Sequence, residues 1–358
     1  MKKLTIEDMQ QQLIHAKGIQ KRRSRKKRYR NAIAMNLRVF SRVRIFAPKV
    51  LDLFNSDNYN CFVRFLTDIR DEIERNNKII INFRNTESLK ACAMVVLYAH
   101  IDFFQRLTND KNIITLTPCN NARVNRMFAG CGIWDITKFQ KYSEQEAIGL
   151  PVVSSVAGAS KDPHVNQEAR ATIKQVLNFI KEKIYGGNIT PIDAQNLYAA
   201  VTESISNVGL HAYSSEYQYK DFIGLAGKRW WIFSRLIEDQ MFILIYDMGE
   251  GIPLTLVQRD FFSIIFQMFK PETDAEKIHA AVQYGETRMK SEKHGKGLPD
   301  IKRFVLDNPM GELHIFSGMG RYSYYSSSKQ EEKIDYKYSV GGTLIQWNIF
   351  IEAKKNES

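Results

Sequence analysis

Apolar positions in the first third of the chain change rhythm several times. A helical spacing around Cys61 to Arg75 gives way to a continuous apolar run, Ile79 to Phe83, of strand length. A long apolar helix is predicted from about Ser88 to Arg106, a second strand over Ile113 to Thr117, and a helix from Asn121 to Ala129 that stops at Gly130-Cys131-Gly132. The order α-β-α-β-α predicts a small α/β unit over residues 51–137. Residues 138–165 hold no period and collect turn formers, among them Gly149-Leu150-Pro151, Ser154-Ser155 and Gly158 to Pro163, so a linker or extended excursion is expected.

Periodicity resumes in residues 166–358, which predict a second domain. Its elements are helices Glu168 to Tyr185 and Pro191 to Ala212, strands about Trp230 to Ile237 and Met241 to Asp247, a long irregular segment, helix Leu298 to Leu306, and strands Leu313 to Phe316 and Thr343 to Ile351.

The formal net charge of +12 alters this picture only at one end. Residues 1–50 carry 15 Lys and Arg against Glu7 and Asp8, whereas the remainder of the chain holds 36 basic and 37 acidic residues. Lys21, Arg22, Arg23, Arg25, Lys26, Lys27, Arg28 and Arg30 crowd ten positions, following a helix-permissive stretch, so residues 1–50 read as an exposed basic helical arm. Such a cluster neutralises phosphates and releases their counterions. The arm therefore predicts a polyanionic partner, RNA or DNA through residues 17–44, with an anionic membrane surface or a merely solvated tail as the competing readings. Cys61, Cys92, Cys119 and Cys131 form no CxxC pair, which points away from a zinc site or a disulfide framework. No run of eighteen apolar residues and no signal-peptide core occur, so a cytoplasmic chain without a membrane span is expected.

Four short motifs carry candidate chemistry. In "TESISNVGLHAY", residues 202–213, Glu203, Asn207 and His211 recur every four positions and share one helical face, opposite Leu197, Val201, Ile205 and Val208. An Asn carbonyl oxygen suits magnesium, and a carboxylate one turn earlier can orient or deprotonate a water. Standing alone, that face reads as the solvated side of an amphipathic helix. "FILIYDMGEGIP" ends a strand at Asp247, followed by Gly249 and Gly251; the carboxylate can accept from an exocyclic amine, and the glycines allow close backbone approach, although a tight turn after a core strand has the same pattern. In "HGKGLPDIKRFV", Gly295, Lys296, Gly297 and Leu298 open a helix whose free N–H groups form an anion site. "GGTLIQWNIF" places Thr343 at the start of a terminal strand.

Taken in this order, the four motifs resemble the N box, two glycine boxes and final Gly-Thr of the GHKL superfamily, the ATPases related to histidine kinases, over approximately residues 166–352. The resemblance implies a Bergerat-type two-layer α/β sandwich, with helices on one face of a mixed sheet and ATP and Mg2+ between the layers. It also implies a mobile lid over residues 252–296, whose Phe261, Phe262, Phe266 and Phe269 are expected to form a lid core or partner surface. Asn207 would hold the metal, Glu203 would serve catalysis, and His211, Asp247, Gly249, Gly251, Gly295, Lys296, Gly297, Leu298 and Thr343 would surround the nucleotide. Pro299-Asp300 depart from the further glycine of many sensor kinases. Before it, the strand, the helix and the "RVNRMFAGCGIWD" segment resemble STAS domains, with Lys90-Ala91-Cys92 where a phosphorylatable serine would stand. His15 and His100 lack the setting of a phosphoaccepting histidine. An ATPase or ATP-gated switch is expected first, with a serine/threonine protein kinase of the anti-sigma type acting on a partner protein, or a non-hydrolysing ATP-binding scaffold in a regulatory or defence complex, as alternatives. Lid-mediated homodimerisation is compatible with the family.

Overall fold

The computed structural model describes residues 41–137, 149–157, 163–186, 189–214, 217–288, 297–306 and 308–351. The first unit contains β1 (Val43–Phe46), β2 (Val50–Leu51), α1 (Ser56–Glu74), β3 (Ile79–Asn82), β4 (Ser88–Leu89), α2 (Ala91–Leu107), β5 (Ile114–Thr117), α3 (Ala122–Cys131) and α4 (Ile133–Ile136). β1, β3 and β5 form a parallel sheet in that order, as the α-β-α-β-α pattern requires of strands joined through helices. Asn55 starts α1 by accepting from the N–H groups of Asp57 and Asn58.

The expected arm ends sooner than residue 50, because Val43–Phe46 and Val50–Leu51 are strands. Arg44 is buried, and Arg42 Nη1 donates to the Asn112 carbonyl at 2.6 Å. These two arginines serve the fold, which removes them from the expected polyanion-binding stretch 17–44. The basic cluster from Lys21 to Arg30 lies outside the described residues.

The second unit contains β6 (Gly149–Ala157), α5 (Pro163–Phe179), α6 (Pro191–His211), α7 (Lys220–Ala226), β7 (Lys228–Ile237), β8 (Gln240–Asp247), α8 (Ile252–Val257), α9 (Phe262–Phe269), α10 (Asp274–Arg288), α11 (Gly297–Leu306), β9 (Glu312–Ser317), β10 (Gly320–Tyr325), β11 (Gln330–Asp335) and β12 (Thr343–Phe350). A π-helical turn, Ile180–Ile184, extends α5. The seven strands run β11-β10-β9-β12-β8-β7-β6, and every described pairing is antiparallel, not mixed. Short reversals cause this: Glu238-Asp239 join β7 to β8, and Gly318-Met319 join β9 to β10.

The linker expected over 138–165 also needs correcting. Residues 149–157 form the edge strand β6 on β7, with a register shift between Leu150 and Val153 that accommodates Pro151. An edge strand tolerates a proline because one side of its backbone needs no ladder partner. The irregular segment expected between Asp247 and Leu298 contains α8, α9 and α10.

Side chains alternate across the sheet, and both faces are covered. On one face Trp347 Nε1 donates to the Ile301 carbonyl of α11 at 2.8 Å, with α6 packed alongside. On the other, Tyr246 lies against His100 of α2 and Trp231 Nε1 donates to Asp102 Oδ2 at 2.9 Å. The first unit thus supplies a third layer to the expected two-layer sandwich, and one hydrophobic core runs through both units. Tyr59 of α1 stacks on Tyr336 with 3.7 Å between ring centroids, and Tyr336 in turn donates to the Leu53 carbonyl.

Asp102 is buried and also receives Arg106 Nε. Asp102→Ala leaves the Trp231 N–H buried without its acceptor, so the unfolding free energy should fall by about 2 kcal/mol. Because the core is shared, urea unfolding followed by tryptophan fluorescence and by circular dichroism should show one coincident transition in both proteins.

Candidate functional site

Pro191 and the Thr190 hydroxyl, which accepts from the Asp193 N–H, start α6. The helix buries Leu197, Val201, Ile205 and Val208 as the pattern predicts, which leaves Glu203, Asn207 and His211 half-buried on another side. That side forms one wall of a cavity of about 430 Å³. The sheet contributes Asp247, Thr343 and Ile345, the start of α11 contributes Leu298 and Pro299, and α8 to α10 close the cavity with Thr255, Arg259, Phe261 and Tyr284 among others. Residues from four separate segments therefore converge on a volume within the range of small-molecule sites.

Asp247 ends β8 opposite Thr343 of β12 and Trp230 of β7. Its carboxyl accepts the Gly249 N–H at 2.8 Å. Burial pushes it up to about 7, against the lowering effect of the Gly249 and Thr343 backbone hydrogen bonds. Thr343 Oγ1 lies 2.9 Å from Ser317 Oγ, and Ser317 Oγ also accepts the Ile252 N–H at 2.8 Å. One buried hydroxyl consequently fixes both the threonine and the first turn of α8.

Glu203 is raised by burial first and then by the nearby negative charge of Asp300, while a hydrogen bond with Asn207 opposes both. A carboxyl raised in this way is better matched to proton transfer near neutrality than an exposed one. His211 is held below its ordinary value by burial first and then by the positive charge of Arg259. Both effects favour its uncharged ring.

Seven expected residues, Glu203, Asn207, His211, Asp247, Gly251, Leu298 and Thr343, line this cavity. Gly249 does not. Its missing side chain makes room for protein backbone, since a Cβ there would overlap the Ala212 carbonyl oxygen, close to where that oxygen accepts the Glu250 N–H. Gly251 adopts φ +86°, and a Cβ on it would sit 2.8 Å from Ser317 Oγ. Gly297 opens α11, whereas Gly295 and Lys296 lie outside the described residues.

Several lining residues had no sequence signal strong enough to single them out. Arg259 and Tyr284 lie outside every motif, as does Phe261; Asp300, whose charge acts on Glu203, belongs to the departure after Leu298. The four phenylalanines expected to act together separate: Phe261 lines the cavity and stacks on Tyr284, Phe262 and Phe269 pack on a small cluster of Leu256, Ile265, Ala280 and Tyr284, and Phe266 is exposed. Pro299 fits against α10 because Gly285 faces it; a Cβ on Gly285 would lie 2.6 Å from the proline ring.

Among the described residues, no group of three His, Cys, Asp or Glu side chains is placed to hold a metal, and no helix is long and apolar enough to cross a membrane. Comparison with protein-family models finds no match, and neither does comparison with curated proteins.

Two predictions follow from burial at Asp247 and Gly249. The raised carboxyl keeps its proton in the folded chain where the unfolded chain has released it, so its contribution is full below about pH 4 and is lost as pH rises through about 7. Relative to wild type, Asp247→Asn should therefore gain stability between pH 4 and 8, by up to about 4 kcal/mol, in urea titrations at each pH. Gly249→Ala should destabilise at every pH by about 2 kcal/mol or more through overpacking against Ala212.

Proposed function

We propose that this chain binds ATP with Mg2+ in the cavity between α6, the sheet and the lid helices, as a GHKL-type ATPase with a Bergerat-type fold, and hydrolyses it slowly. The observation that carries this reading is the convergence of Glu203, Asn207, Asp247 and Thr343 on one cavity.

The donor set suits the proposed ligand. Asp247 is a buried acceptor beside apolar Ile345 and Leu256, the surroundings in which one hydrogen bond from an exocyclic amine selects a base. Thr343 adds a hydroxyl next to it. One amide oxygen and one carboxylate on neighbouring turns of α6 suit magnesium, which retains waters and phosphate oxygens as its other ligands and so needs no all-protein cage. When bound, the metal neutralises charge on the phosphate oxygens.

The protein's own part is positioning and proton handling. Asn207, hydrogen-bonded to Glu203, would hold the metal through its carbonyl oxygen. Glu203, raised by burial and Asp300, receives the proton of an attacking water. The N–H groups at the start of α11 stabilise phosphate charge. Preorganised groups of this kind suffice for phosphoryl transfer without a covalent intermediate.

The test is calorimetric ATP titration with and without Mg2+, alongside phosphate release. Asp247→Ala should lose binding at least tenfold, Asn207→Ala should lose the magnesium-dependent part, and Glu203→Ala should bind normally while turnover falls by about a hundredfold or more. Equal ATP affinity for wild type and Asp247→Ala would sink the assignment. Label transferred from ATP to serine or threonine of an added protein, instead of to water, would move it to the kinase alternative.

A further inference from the structure

Among the described residues that line the cavity, Arg259, in the connection between α8 and α9, is the one lysine or arginine. Arg259 is half-buried, and no carboxylate among the described residues forms an ion pair with it. Its charge acts on His211, at the C-terminal end of α6. This end also marks the Asp247 side of the cavity, because the Ala212 carbonyl accepts the N–H of Glu250 just after the Asp247 turn. Glu203, Asn207 and His211 step along α6 about 6 Å at a time. Glu203 therefore lies two turns from His211, toward the opposite end.

These positions order the cavity. An acceptor for a base lies at one end, Glu203 lies two turns of α6 away at the other, and the Arg259 guanidinium stands beside the base end. We infer that Arg259 pairs with the phosphate closest to the sugar of a bound nucleotide, so that the site distinguishes nucleotides from nucleosides at their first phosphate rather than their last. A guanidinium is a planar, permanently charged fork matched to phosphate oxygens, while the other cation acting on His211, Lys228, is engaged by the Gly209 carbonyl. The inference rests on the nucleotide reading above and adds a residue that reading does not use.

The full chain is titrated calorimetrically with adenosine, AMP and ATP, using wild type, Arg259→Ala and Arg259→Lys. Arg259→Ala should weaken AMP and ATP by a similar factor, about tenfold, and leave adenosine within twofold. Arg259→Lys should recover part of the loss, and the wild-type advantage should shrink as salt rises. A loss confined to ATP overturns the inference by placing the arginine at the terminal phosphate. An equal loss for adenosine overturns it by showing a structural or base-stacking role, and unchanged binding of all three overturns it outright. Wild type that binds none of the three ligands defeats the nucleotide reading itself, and that result is separate from every comparison with the arginine variants.

Discussion

The antiparallel register of β8 against β12 governs the rest of the molecule. It sets Asp247 opposite Thr343 and points both toward α6. Because side chains alternate along a strand, a slip of one residue would turn Asp247 to the α2 side and bring Tyr246 into the cavity. The register is held from both faces: Trp347 bonds to α11 in front, and Trp231 and Tyr246 engage α2 behind. A buried carboxyl is costly, and only a tightly specified sheet keeps one in place.

The first unit reaches the turn after Asp247 as well as the back of the sheet. Tyr219 and Gln218 donate to Glu74 at the end of α1, and neighbouring Tyr217 donates to the Met248 carbonyl at 2.6 Å. Three consecutive residues, Tyr217 to Tyr219, therefore tie the end of α1 to the turn after Asp247. His100 sits within this junction, packed on Tyr246, and burial holds it down to about 4. It is a neutral core histidine, in keeping with a sequence setting that offered no phosphoacceptor. Cys92, at the start of α2, is buried and pushed up to about 12, which makes it a packing residue.

Legibility followed burial and period. α6, β8 and β12 were readable because their apolar spacing repeats long enough to define an element. β6 was not: Pro151 and the serine pair look like loop chemistry, and only the edge position beside β7 makes them acceptable in a strand. β11, with Glu331, Glu332, Lys333 and Asp335 around a single Ile334, presents a mostly solvated edge whose pattern resembles a loop. α2 as a cover for the large sheet was half-visible, since Trp230-Trp231-Ile232-Phe233 is apolar on both faces and a strand of that kind needs layers on both sides.

The candidate chemistry divides in the same way. The amino-acid sequence by itself determined which side chains share a helical face and which carboxylate ends a strand, since both depend only on local backbone period. Tertiary structure alone decided that these elements meet at one cavity, that Arg259, Phe261 and Tyr284 join them, and that Gly249 serves close packing against Ala212. Those facts depend on contacts between distant segments, and on the water those contacts exclude; the raised carboxyls of Asp247 and Glu203 have the same origin, because desolvation belongs to the assembled core and to no single stretch of chain.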